Sequence, residues 1–319
     1  MQAIIPVAGP GKRLRPLTNT IPKVLLNVAG KPSMAFILDK MIQKGITDIV
    51  FVTGYLGNVV EDYIKKNYPK IKSTFVEQKE RLGTAHAIFQ AEPYIKKDVF
   101  ILFGDTLFDG DFSLETDGDG IIFVAETDNP QRFGIVELQG KYLKRIIEKP
   151  KNPPTNLANI GMYYIKNSKE MFRCIHKLIN NDMKNMGEYW LTDAFQFMIE
   201  NGAKFESKMI EKWLDTGKIE TTLETNKYLI SKMKQPKMKG IKPPVFIDKG
   251  VKIENSEIGP NVTLNKGCVI INSKIKDAII NENSRIEDCE IEHSLIGKEV
   301  KIKGFKGNVM LGDFDTSHS

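Results

Sequence analysis

Cysteine and histidine are scarce in this chain of 319 residues, which contains three cysteines and four histidines. Cys174, Cys268 and Cys289 lie far apart, and the sequence has neither a CxxC pair nor a Cys/His cluster. It therefore predicts neither a disulfide framework nor a zinc site, and it fits a reducing compartment. His86 falls inside a helical run, where we interpret it as a packed or surface residue rather than a catalytic one.

Long apolar runs are lacking as well, since no stretch approaches the ~18 residues that a membrane-spanning helix needs. The first residues, MQAIIPVAG, lack the basic start and the cleavage site of a secretory signal and are typical of a buried strand. The net charge of +6 is mild and spread along the chain, which argues against nucleic acid as a partner. We therefore expect a cytoplasmic protein that binds neither a membrane nor nucleic acid.

The first part of the chain, residues 1–230, alternates short apolar runs with helical periodicity. The apolar runs AIIPV, DIVFVTG, KSTFVEQ and DVFILFGD alternate with helical stretches at 32–45, 57–66 and 83–91. This alternation predicts an α/β fold with a parallel sheet covered by helices. The later runs GIIFVAET, FGIVEL, YLKRIIEKP and NIGMYYI have no helices between them, which predicts antiparallel strands added to the same sheet.

The last part of the chain is a repeat, which follows a lysine- and proline-rich linker at 231–244. Between residues 251 and 302, a small or branched residue is followed two positions later by an aliphatic one, and such pairs recur every five or six residues. Three spacings make 16 or 17 residues, which predicts three short strands per coil, stacked as a triangular prism. The aliphatic residue would point inward and the small residue would occupy a tight corner, so Cys268 and Cys289 become packing residues. With about three coils, the prism is interpreted as an assembly or lid module, and residues 304–319 as a tail.

The stretch AGPGKRLRPLTNTIPK, residues 8–23, follows the first apolar run directly. Leu14 stands where a dinucleotide fingerprint has its third glycine, and Arg13 stands where a Walker loop has Ser or Thr. Gly9 and Gly11 still allow backbone N–H groups to approach an anion closely, and cations recur from Lys12 to Lys23. We interpret the stretch as a polyphosphate-binding loop, with a solvated basic loop as the alternative.

Two aspartates follow apolar strands: Asp105 in VFILFGDT and Asp215 in KWLDTG. Either aspartate alone could be a turn residue. Together with a phosphate-binding loop they predict a Mg²⁺ site, because Mg²⁺ takes one or two carboxylates plus phosphate oxygens.

Three further polar positions lie at predicted strand ends. Gln78 carries an amide that can read a base edge through one donor and one acceptor. Glu148, within Glu-Lys-Pro, and Asn159, before Gly161, could bind sugar hydroxyls or could be turn residues.

These motifs, in this order and over essentially the whole chain, resemble the sugar-1-phosphate nucleotidylyltransferases. The resemblance is to the glucose-1-phosphate thymidylyl- or uridylyltransferase type that carries a C-terminal left-handed β-helix. GPGKRLRPLTNTIPK is similar to the signature G-x-G-T-R-L-x-P-x-T-x(3)-P-K, QKERLGTAHA to the base-reading loop, FGDT and WLDTG to the two metal-aspartate motifs, and EKP with NIG to the sugar-binding strands. The resemblance implies a Rossmann-like mixed sheet in a nucleotidyltransferase domain at 1–230 and a short left-handed parallel β-helix at 245–303.

The resemblance also implies a role for each matching residue. Arg13 would grip the leaving pyrophosphate, and Lys23 would hold the phosphate of the sugar substrate. Asp105 and Asp215 would bind Mg²⁺. The implied nucleotide-binding positions are Ala8, Gly9, Gly11, Gln78, Gly83 and Thr84, and the implied sugar-phosphate positions are Gly134, Glu148, Lys149 and Asn159. Lys12, in place of the Thr expected before the arginine, and Pro10 depart from the signature.

The implied reaction transfers a nucleotidyl group from a pyrimidine nucleoside triphosphate, dTTP or UTP, to a sugar-1-phosphate, with glucose-1-phosphate expected. The phosphate oxygen of the sugar is already ionised at neutral pH, so the reaction needs no general base, and the chain shows no catalytic His or Cys. The alternatives are N-acetylglucosamine-1-phosphate with UTP, mannose-1-phosphate with GTP, and a non-catalytic regulatory protein that binds a nucleotide sugar. A homo-oligomer is expected, because the flat faces of such prisms often associate.

Overall fold

The computed structural model describes residues 1–318. Up to residue 231 its strands and helices are, in chain order, β1 (Gln2–Pro6), β2 (Asn27–Val28), β3 (Lys31–Pro32), α1 (Ser33–Gln43), β4 (Asp48–Thr53), α2 (Gly57–Asn67), β5 (Lys72–Glu77), α3 (Thr84–Phe89), β6 (Val99–Leu102), β7 (Thr106–Asp109), β8 (Gly120–Glu126), β9 (Gly134–Gln139), β10 (Tyr142–Glu148), β11 (Leu157–Ile165), α4 (Ser168–Asn180), α5 (Leu191–Glu200), β12 (Phe205–Met209), β13 (Lys212–Asp215) and α6 (Ile219–Ser231). Short 3-10 turns cover Lys12–Leu14, Leu17–Asn19, Lys23–Leu25, Glu92–Tyr94 and Pro130–Arg132.

Short strands make up the rest of the chain. They are β14 (Val245–Ile247), β15 (Lys252–Glu254), β16 (Glu257–Ile258), β17 (Val262–Leu264), β18 (Val269–Ile271), β19 (Lys274–Ile280), β20 (Arg285–Glu287), β21 (Glu290–Ile296), β22 (Lys301–Lys303), β23 (Lys306–Gly307), β24 (Met310–Leu311) and β25 (Thr316–His318). Within the described residues, no helix is both long and apolar enough to cross a membrane.

The chain divides into two compact units, and each is built from separate stretches of sequence. The first unit comprises Met1–Ala8 and Ile37–Trp213, and the second comprises Gly9–Phe36 and Leu214–Ser319. The polyphosphate-binding loop predicted from the sequence therefore belongs to the same unit as the repeat.

The first unit contains a nine-stranded sheet in the order β5-β4-β1-β6-β11-β8-β12-β10-β9. The strands β5, β4, β1 and β6 pair in parallel, whereas β11 pairs antiparallel with both β6 and β8. β4 is buried from Ile49 to Thr53 without a break, as expected for a parallel strand that is covered on both faces. The sheet is thus mixed, with the helix-free runs added to one layer as the sequence predicted.

The parallel strands of this sheet end at one edge, where the chain continues into loops. The N–H group of Gly104, just after β6, donates to the carbonyl oxygen of Pro6 at the end of β1, at 3.1 Å. The N–H group of Gln78, just after β5, donates to the carbonyl oxygen of Thr53 at the end of β4, at 2.8 Å. The residues that follow these strands are therefore gathered along the carboxyl edge, where open α/β sheets bind ligands.

In the second unit the short strands pair in parallel in successive coils. Val245 pairs with Val262 and Val262 with Ala278, offsets of 17 and 16 residues. One set of strands runs β15-β18-β20-β22-β25, and another includes β14, β17, β19, β21 and β23. The first half of β19 pairs with β16, and the first half of β21 pairs with β23. The second halves of β19 and β21 do not pair with these two strands. These parallel sheets are compatible with a β-helix.

Burial along the coils follows the two-residue pattern of the sequence. Both members of each pair from Val262/Leu264 to Val300/Ile302 are buried, and Cys268 and Cys289 are 0% and 1% exposed. Burial also raises the pKa of the Cys268 thiol to about 12 and the pKa of the Cys289 thiol above its ordinary value. The interpretation of these cysteines as packing residues is consistent with this burial.

The residues 304–319, expected to form a tail, contain β23, β24 and β25. β23 and β24 pair in parallel with β21, and β25 pairs in parallel with β22. The strand pairing of the repeat thus continues beyond residue 303, although Phe305 and Gly307 interrupt the small-then-aliphatic pattern that predicted it.

Candidate active site

The carboxyl edge of the nine-stranded sheet carries three of the predicted site residues. Ala8 follows β1, Gln78 follows β5 and Asp105 follows β6. Gly54, just after β4, packs so closely on Ala8 that a Cβ at residue 54 would lie 2.9 Å from the Cβ of Ala8. The edge therefore carries backbone and polar groups that follow several strands of one sheet.

Asp105 lies in a tight turn between β6 and β7, and the turn is fixed by its neighbours. The N–H group of Phe103 donates to the carbonyl oxygen of Gly161 at 2.9 Å, and the N–H group of Thr106 donates to that of Phe103 at 2.9 Å. The Thr106 hydroxyl is buried and donates to the carbonyl oxygen of Ile160 at 2.7 Å. The backbone that carries the Asp105 carboxylate is thus held on both sides.

The predicted base-reading residues form one local cluster around Gln78. The Gln78 side chain is 7% exposed, and its Nε2 donates to the carbonyl oxygen of Gly83 at 3.2 Å. The same Nε2 lies 3.2 Å from Nδ1 of His86, a contact that the sequence did not reveal. Burial lowers the pKa of His86, which favours the neutral ring that can accept this hydrogen bond. His86 thus orients Gln78, and Oε1 of Gln78 takes no part in these bonds.

Gly83 allows the loop after Gln78 to pass against the chain before α5. Its φ is +112°, and a Cβ there would lie 2.7 Å from the nitrogen of Tyr189. The N–H group of Tyr189 donates to the carbonyl oxygen of Leu82 at 2.8 Å, and the N–H group of Leu191 donates to the Thr84 hydroxyl at 2.9 Å. Hydrogen bonds to residues 189 and 191 therefore fix the position of residues 82–84, and only glycine fits at residue 83.

The predicted sugar-binding residues Gly134, Glu148 and Asn159 also meet in the first unit. Gly134 and Glu148 are register partners in β9 and β10. Nδ2 of Asn159 donates to the carbonyl oxygen of Gly134 at 3.0 Å, and Oδ1 of Asn159 accepts from the Tyr163 hydroxyl and from the Gly161 N–H group. The hydrogen bonds of the Asn159 amide fix which of its two ends is the donor.

Glu148 is a buried carboxylate whose surroundings raise its pKa. Its side chain is 9% exposed, and burial raises the pKa, although Lys149 and the Thr192 hydroxyl oppose that rise. Oε2 accepts from the Thr192 hydroxyl at 3.0 Å, and Oε1 lies 3.8 Å from Nζ of Lys149. The same Nζ lies 3.8 Å from the ring centroid of Trp190, a cation–π contact. The cluster thus presents a carboxylate and an ammonium group side by side.

The predicted phosphate loop lies in the second unit and folds back on itself. The Thr18 hydroxyl donates to the carbonyl oxygen of Gly11 at 3.0 Å. Gly11 has φ of +60°, and a Cβ there would lie 2.9 Å from Cγ2 of Thr18 and 3.0 Å from Cβ of Lys23. Gly9, by contrast, has open space where a Cβ would lie. Gly11 therefore allows the loop to close against Lys23, and the Arg13 side chain is left exposed.

Asp215 ends β13 in the second unit and caps its own turn. Its Oδ1 accepts from the N–H group of Gly217 at 2.7 Å, and its carbonyl oxygen accepts from the Thr225 hydroxyl of α6 at 2.8 Å. Thr216 is 4% exposed, and its hydroxyl oxygen has no hydrogen-bond partner among residues 1–318. The backbone of Asp215 is thus held by α6, and its carboxylate is held by the turn at Gly217.

The two predicted carboxylates, Asp105 and Asp215, suit Mg²⁺ better than a metal ion that takes all its ligands from protein side chains. Within the described part of the chain, no three His, Cys, Asp or Glu side chains gather into a group that could hold a metal ion. Mg²⁺ needs only one or two carboxylates, because it keeps water and takes the other ligands from substrate phosphates. Asp105 of the first unit and Asp215 of the second each carry a carboxylate of the kind that this chemistry uses.

Comparisons with known proteins show which proteins the chain is similar to. Residues 2–232 match the family described as Nucleotidyl transferase. The chain is 31% identical to the bifunctional protein GlmU of Methanococcus maripaludis, over 93% of this chain and 77% of that protein. It is 30% identical to a glucose-1-phosphate thymidylyltransferase of Streptomyces antibioticus, over 95% and 93% of the two chains. A crystal structure described as a glucose-1-phosphate thymidylyltransferase of Bacillus anthracis with sucrose aligns with a TM-score of 0.62 at 26% identity, over 74% of this chain and 98% of that one.

Proposed function

Since the chain belongs to the nucleotidyl transferase family, we propose that it joins a pyrimidine nucleotide, from dTTP or UTP, to glucose-1-phosphate. The products are a nucleoside-diphosphate sugar and pyrophosphate. The observation that supports a sugar phosphate most directly is the cluster of the buried residues Gly134 and Asn159 with the largely buried side chain of Glu148. A buried carboxylate and amide with fixed orientation offer hydrogen bonds that sugar hydroxyls can complete.

The reaction proposed here is a displacement at the α-phosphorus of the nucleotide. A phosphate oxygen of the sugar-1-phosphate forms the new bond to that phosphorus, and the bond to the bridging oxygen breaks as pyrophosphate leaves. The attacking oxygen is already ionised, so the main difficulty is to hold two anions in line. Cationic side chains reduce this repulsion and stabilise the charge that develops on the leaving group.

We assign the residues of the phosphate loop to the two anions. Lys23 holds the phosphate of the sugar, and the absence of a side chain at Gly11 leaves room for its Cβ. Arg13 grips the departing pyrophosphate, and the N–H groups of Ala8, Gly9 and Gly11 approach the nucleotide phosphates. Lys12 replaces a Thr of the signature, which adds a cation and removes a hydroxyl donor.

The remaining predicted residues bind the base, the sugar and the metal. Gln78 reads the pyrimidine edge, with Gly83 and Thr84 shaping the loop. Lys149 acts with Glu148 on the sugar and its phosphate. Asp105 and Asp215 would hold Mg²⁺, which when bound neutralises charge on phosphate oxygens.

The domain arrangement proposed from the sequence has a catalytic domain at 1–230, a linker at 231–244 and a left-handed β-helix at 245–303. The parallel strands up to His318 support an extension of the β-helix into the expected tail. We also propose that the chain works in the cytoplasm as a homo-oligomer, and light scattering coupled to size-exclusion chromatography tests the oligomeric state.

The deciding experiment measures pyrophosphate release with Mg²⁺ for UTP, dTTP, GTP, ATP and CTP against glucose-, N-acetylglucosamine-, galactose- and mannose-1-phosphate. We expect the highest kcat/KM for a pyrimidine nucleotide with glucose-1-phosphate, and loss of pyrophosphate release with excess EDTA. If kcat/KM is highest for N-acetylglucosamine-1-phosphate with UTP, or for mannose-1-phosphate with GTP, the proposed substrate is wrong but the reaction class is right. Absence of release from every pair, with nucleotide-sugar binding still measurable by calorimetry, would instead support the regulatory alternative.

A further inference from the structure

The segment Gly9–Phe36, called here the anion-loop segment, has little regular structure of its own. Apart from the first turn of α1, which begins at Ser33, its regular structure consists of 3-10 turns of three residues and of β2 and β3, each of two residues. Such short elements supply few backbone hydrogen bonds to hold a chain in one place. Contacts of its side chains and backbone groups within the second unit therefore help to hold the segment in place.

The first such contact joins the segment to the coils of the repeat. Nδ2 of Asn27 donates to Oδ1 of Asn281 at 3.2 Å and to Oε1 of Glu282 at 3.1 Å. One amide thus reaches two adjacent residues of a single turn, and one of its acceptors is a carboxylate. Hydrogen bonds to a charged acceptor are stronger than neutral ones.

Asn281 is itself rigidly held within the repeat. It is 7% exposed, accepts from Nδ2 of Asn265 on the preceding coil at 3.1 Å, and donates to the carbonyl oxygen of Ile296 on the next coil at 2.8 Å. The acceptor offered to Asn27 is therefore fixed by hydrogen bonds to the coils on both sides.

Two more contacts hold the segment on either side of Asn27. The N–H group of Ala29 donates to Oδ1 of Asn226, a fully buried residue of α6, at 2.9 Å. The same oxygen accepts from the hydroxyl of Thr263 in β17 at 2.7 Å. Nearer the start of the segment, the Thr20 hydroxyl donates to Oδ2 of Asp313 at 2.9 Å. Lys23 thus lies in sequence between two points of attachment.

We propose that the coiled repeat is a brace that positions the anion-loop segment, and that Asn27 and Asn281 are positioning residues for phosphate transfer. This inference rests on the proposed function, because it assigns the brace to the loop that carries Arg13 and Lys23. It gives the repeat a role within one chain that is independent of assembly. A loop displaced by about 1 Å can lose up to 100-fold in rate, so loosening the brace should be visible in turnover.

The test compares Asn27→Asp with the double variant Asn27→Asp/Glu282→Gln. The single change places a carboxylate against Glu282 and removes the donor, while the double change supplies a new amide donor from residue 282. The single variant should lose ~10- to 100-fold in kcat with KM for both substrates within a few-fold. The double variant restores the bond to residue 282 but not the bond to Asn281, so it should recover part of that loss. Hydrogen–deuterium exchange should be faster in peptides covering 12–29 for the single variant and closer to parental for the double variant.

Asn272→Ala serves as the matched control, because Nδ2 of Asn272 donates to Oδ1 of Asp288 between coils at 3.0 Å, away from the anion-loop segment in sequence and bonding. It should leave kcat and the exchange of 12–29 unchanged. Glu282→Gln alone is measured to correct for its ion pair with Lys298, whose Nζ lies 3.7 Å away. Asn281→Ala breaks the same contact from the other side, together with the bonds of Asn281 to Asn265 and Ile296, and should also speed exchange in 12–29.

Parental kcat and parental exchange in both Asn27→Asp and Asn281→Ala would overturn the brace. A loss of thermal stability alone, with kcat intact at a lower temperature, would overturn it equally. If the parent releases no pyrophosphate from any substrate pair, the proposed function fails, but exchange of 12–29 and calorimetric binding of inorganic pyrophosphate still test the brace. Faster exchange with weaker pyrophosphate binding would then support it, and unchanged values would refute it.

Discussion

Gly134 and Asn159 lie against each other so closely that the asparagine depends on the absence of a side chain at 134. Nδ2 of Asn159 donates to the Gly134 carbonyl oxygen at 3.0 Å. A Cβ on residue 134 would overlap that nitrogen and lie 2.9 Å from Oε2 of Glu148. The glycine therefore determines where both polar groups of the proposed sugar site are placed.

Replacing Gly134 by Ala should displace Asn159 and Glu148 and weaken binding of the sugar phosphate. We expect KM for the sugar-1-phosphate to rise ~10-fold or more, with a much smaller change in KM for the nucleotide, because one or two hydrogen bonds to charged or fixed groups are lost. Initial rates at varied sugar phosphate measure this. Gly45→Ala is the control, since it has open space but a φ of +72° and so costs stability without touching the site. Equal KM values in parent and Gly134→Ala would contradict the assignment.

Neutralising either proposed metal ligand should remove most turnover. Asp105→Asn and Asp215→Asn keep the shape of the side chain but lose the charge that holds a divalent cation. We expect kcat to fall ~100-fold or more at fixed Mg²⁺, with part of the activity restored at high Mg²⁺. Asp111→Asn is the control, because that carboxylate is exposed and pairs with Lys44 at 2.7 Å. Activity within a few-fold of the parent in either site variant would exclude that residue as a ligand.

Arg13 should act on the departing pyrophosphate rather than on substrate binding alone. Arg13→Ala is expected to lower kcat by ~10²-fold, the scale for one lost transition-state donor. Arg15→Ala, which removes a neighbouring exposed cation of the same loop, should change kcat far less. Steady-state kinetics of both variants decide the point. An increase in KM with unchanged kcat would show that Arg13 contributes only to binding.

The sheet and the coils could be predicted from the sequence because both leave a local signal. Buried parallel strands such as β4 are continuous apolar runs, and the corners of the coils repeat every five or six residues. The coils carry a second local signal: the residue before each small corner residue has positive φ, and most of these residues are Gly, Asn or Asp, which tolerate that conformation. They are Gly250, Asn255, Asn261, Gly267, Asn272, Asp277, Asn283, Asp288, His293 and Glu299.

The partners that complete the site could not be predicted, because they meet across long stretches of chain. Thr192 bonds Glu148 over 44 residues, and Asn27 bonds Asn281 over 254. No local pattern marks such a pair, since each side chain alone resembles an ordinary helix or turn residue. The grouping of Gly9–Phe36 with the repeat could not be predicted from the sequence for the same reason.

The titration of Asp193 should lower the free energy of unfolding as the pH rises from 3.8 to about 6. Burial raises the pKa of this carboxyl from an ordinary 3.8 to about 6, so the folded state holds the proton more tightly than the unfolded state does. Below pH 3.8 the carboxyl of Asp193 is protonated in both the folded and the unfolded state, so it does not lower the free energy of unfolding. Between pH 3.8 and about 6 the unfolded state releases its proton first, and the folded state loses stability relative to it.

Asp193→Asn removes that titration, so its advantage over the parent should be larger at pH 7.5 than at pH 4.5. Urea unfolding of both proteins at the two pH values measures the difference in free energy of unfolding. Asp128→Asn, at an exposed position, is the control and should show no such change. If Asp193→Asn changes the free energy of unfolding by the same amount at both pH values, the pKa of Asp193 does not differ between the folded and unfolded states. Solvent then reaches the carboxyl well enough to keep its pKa ordinary.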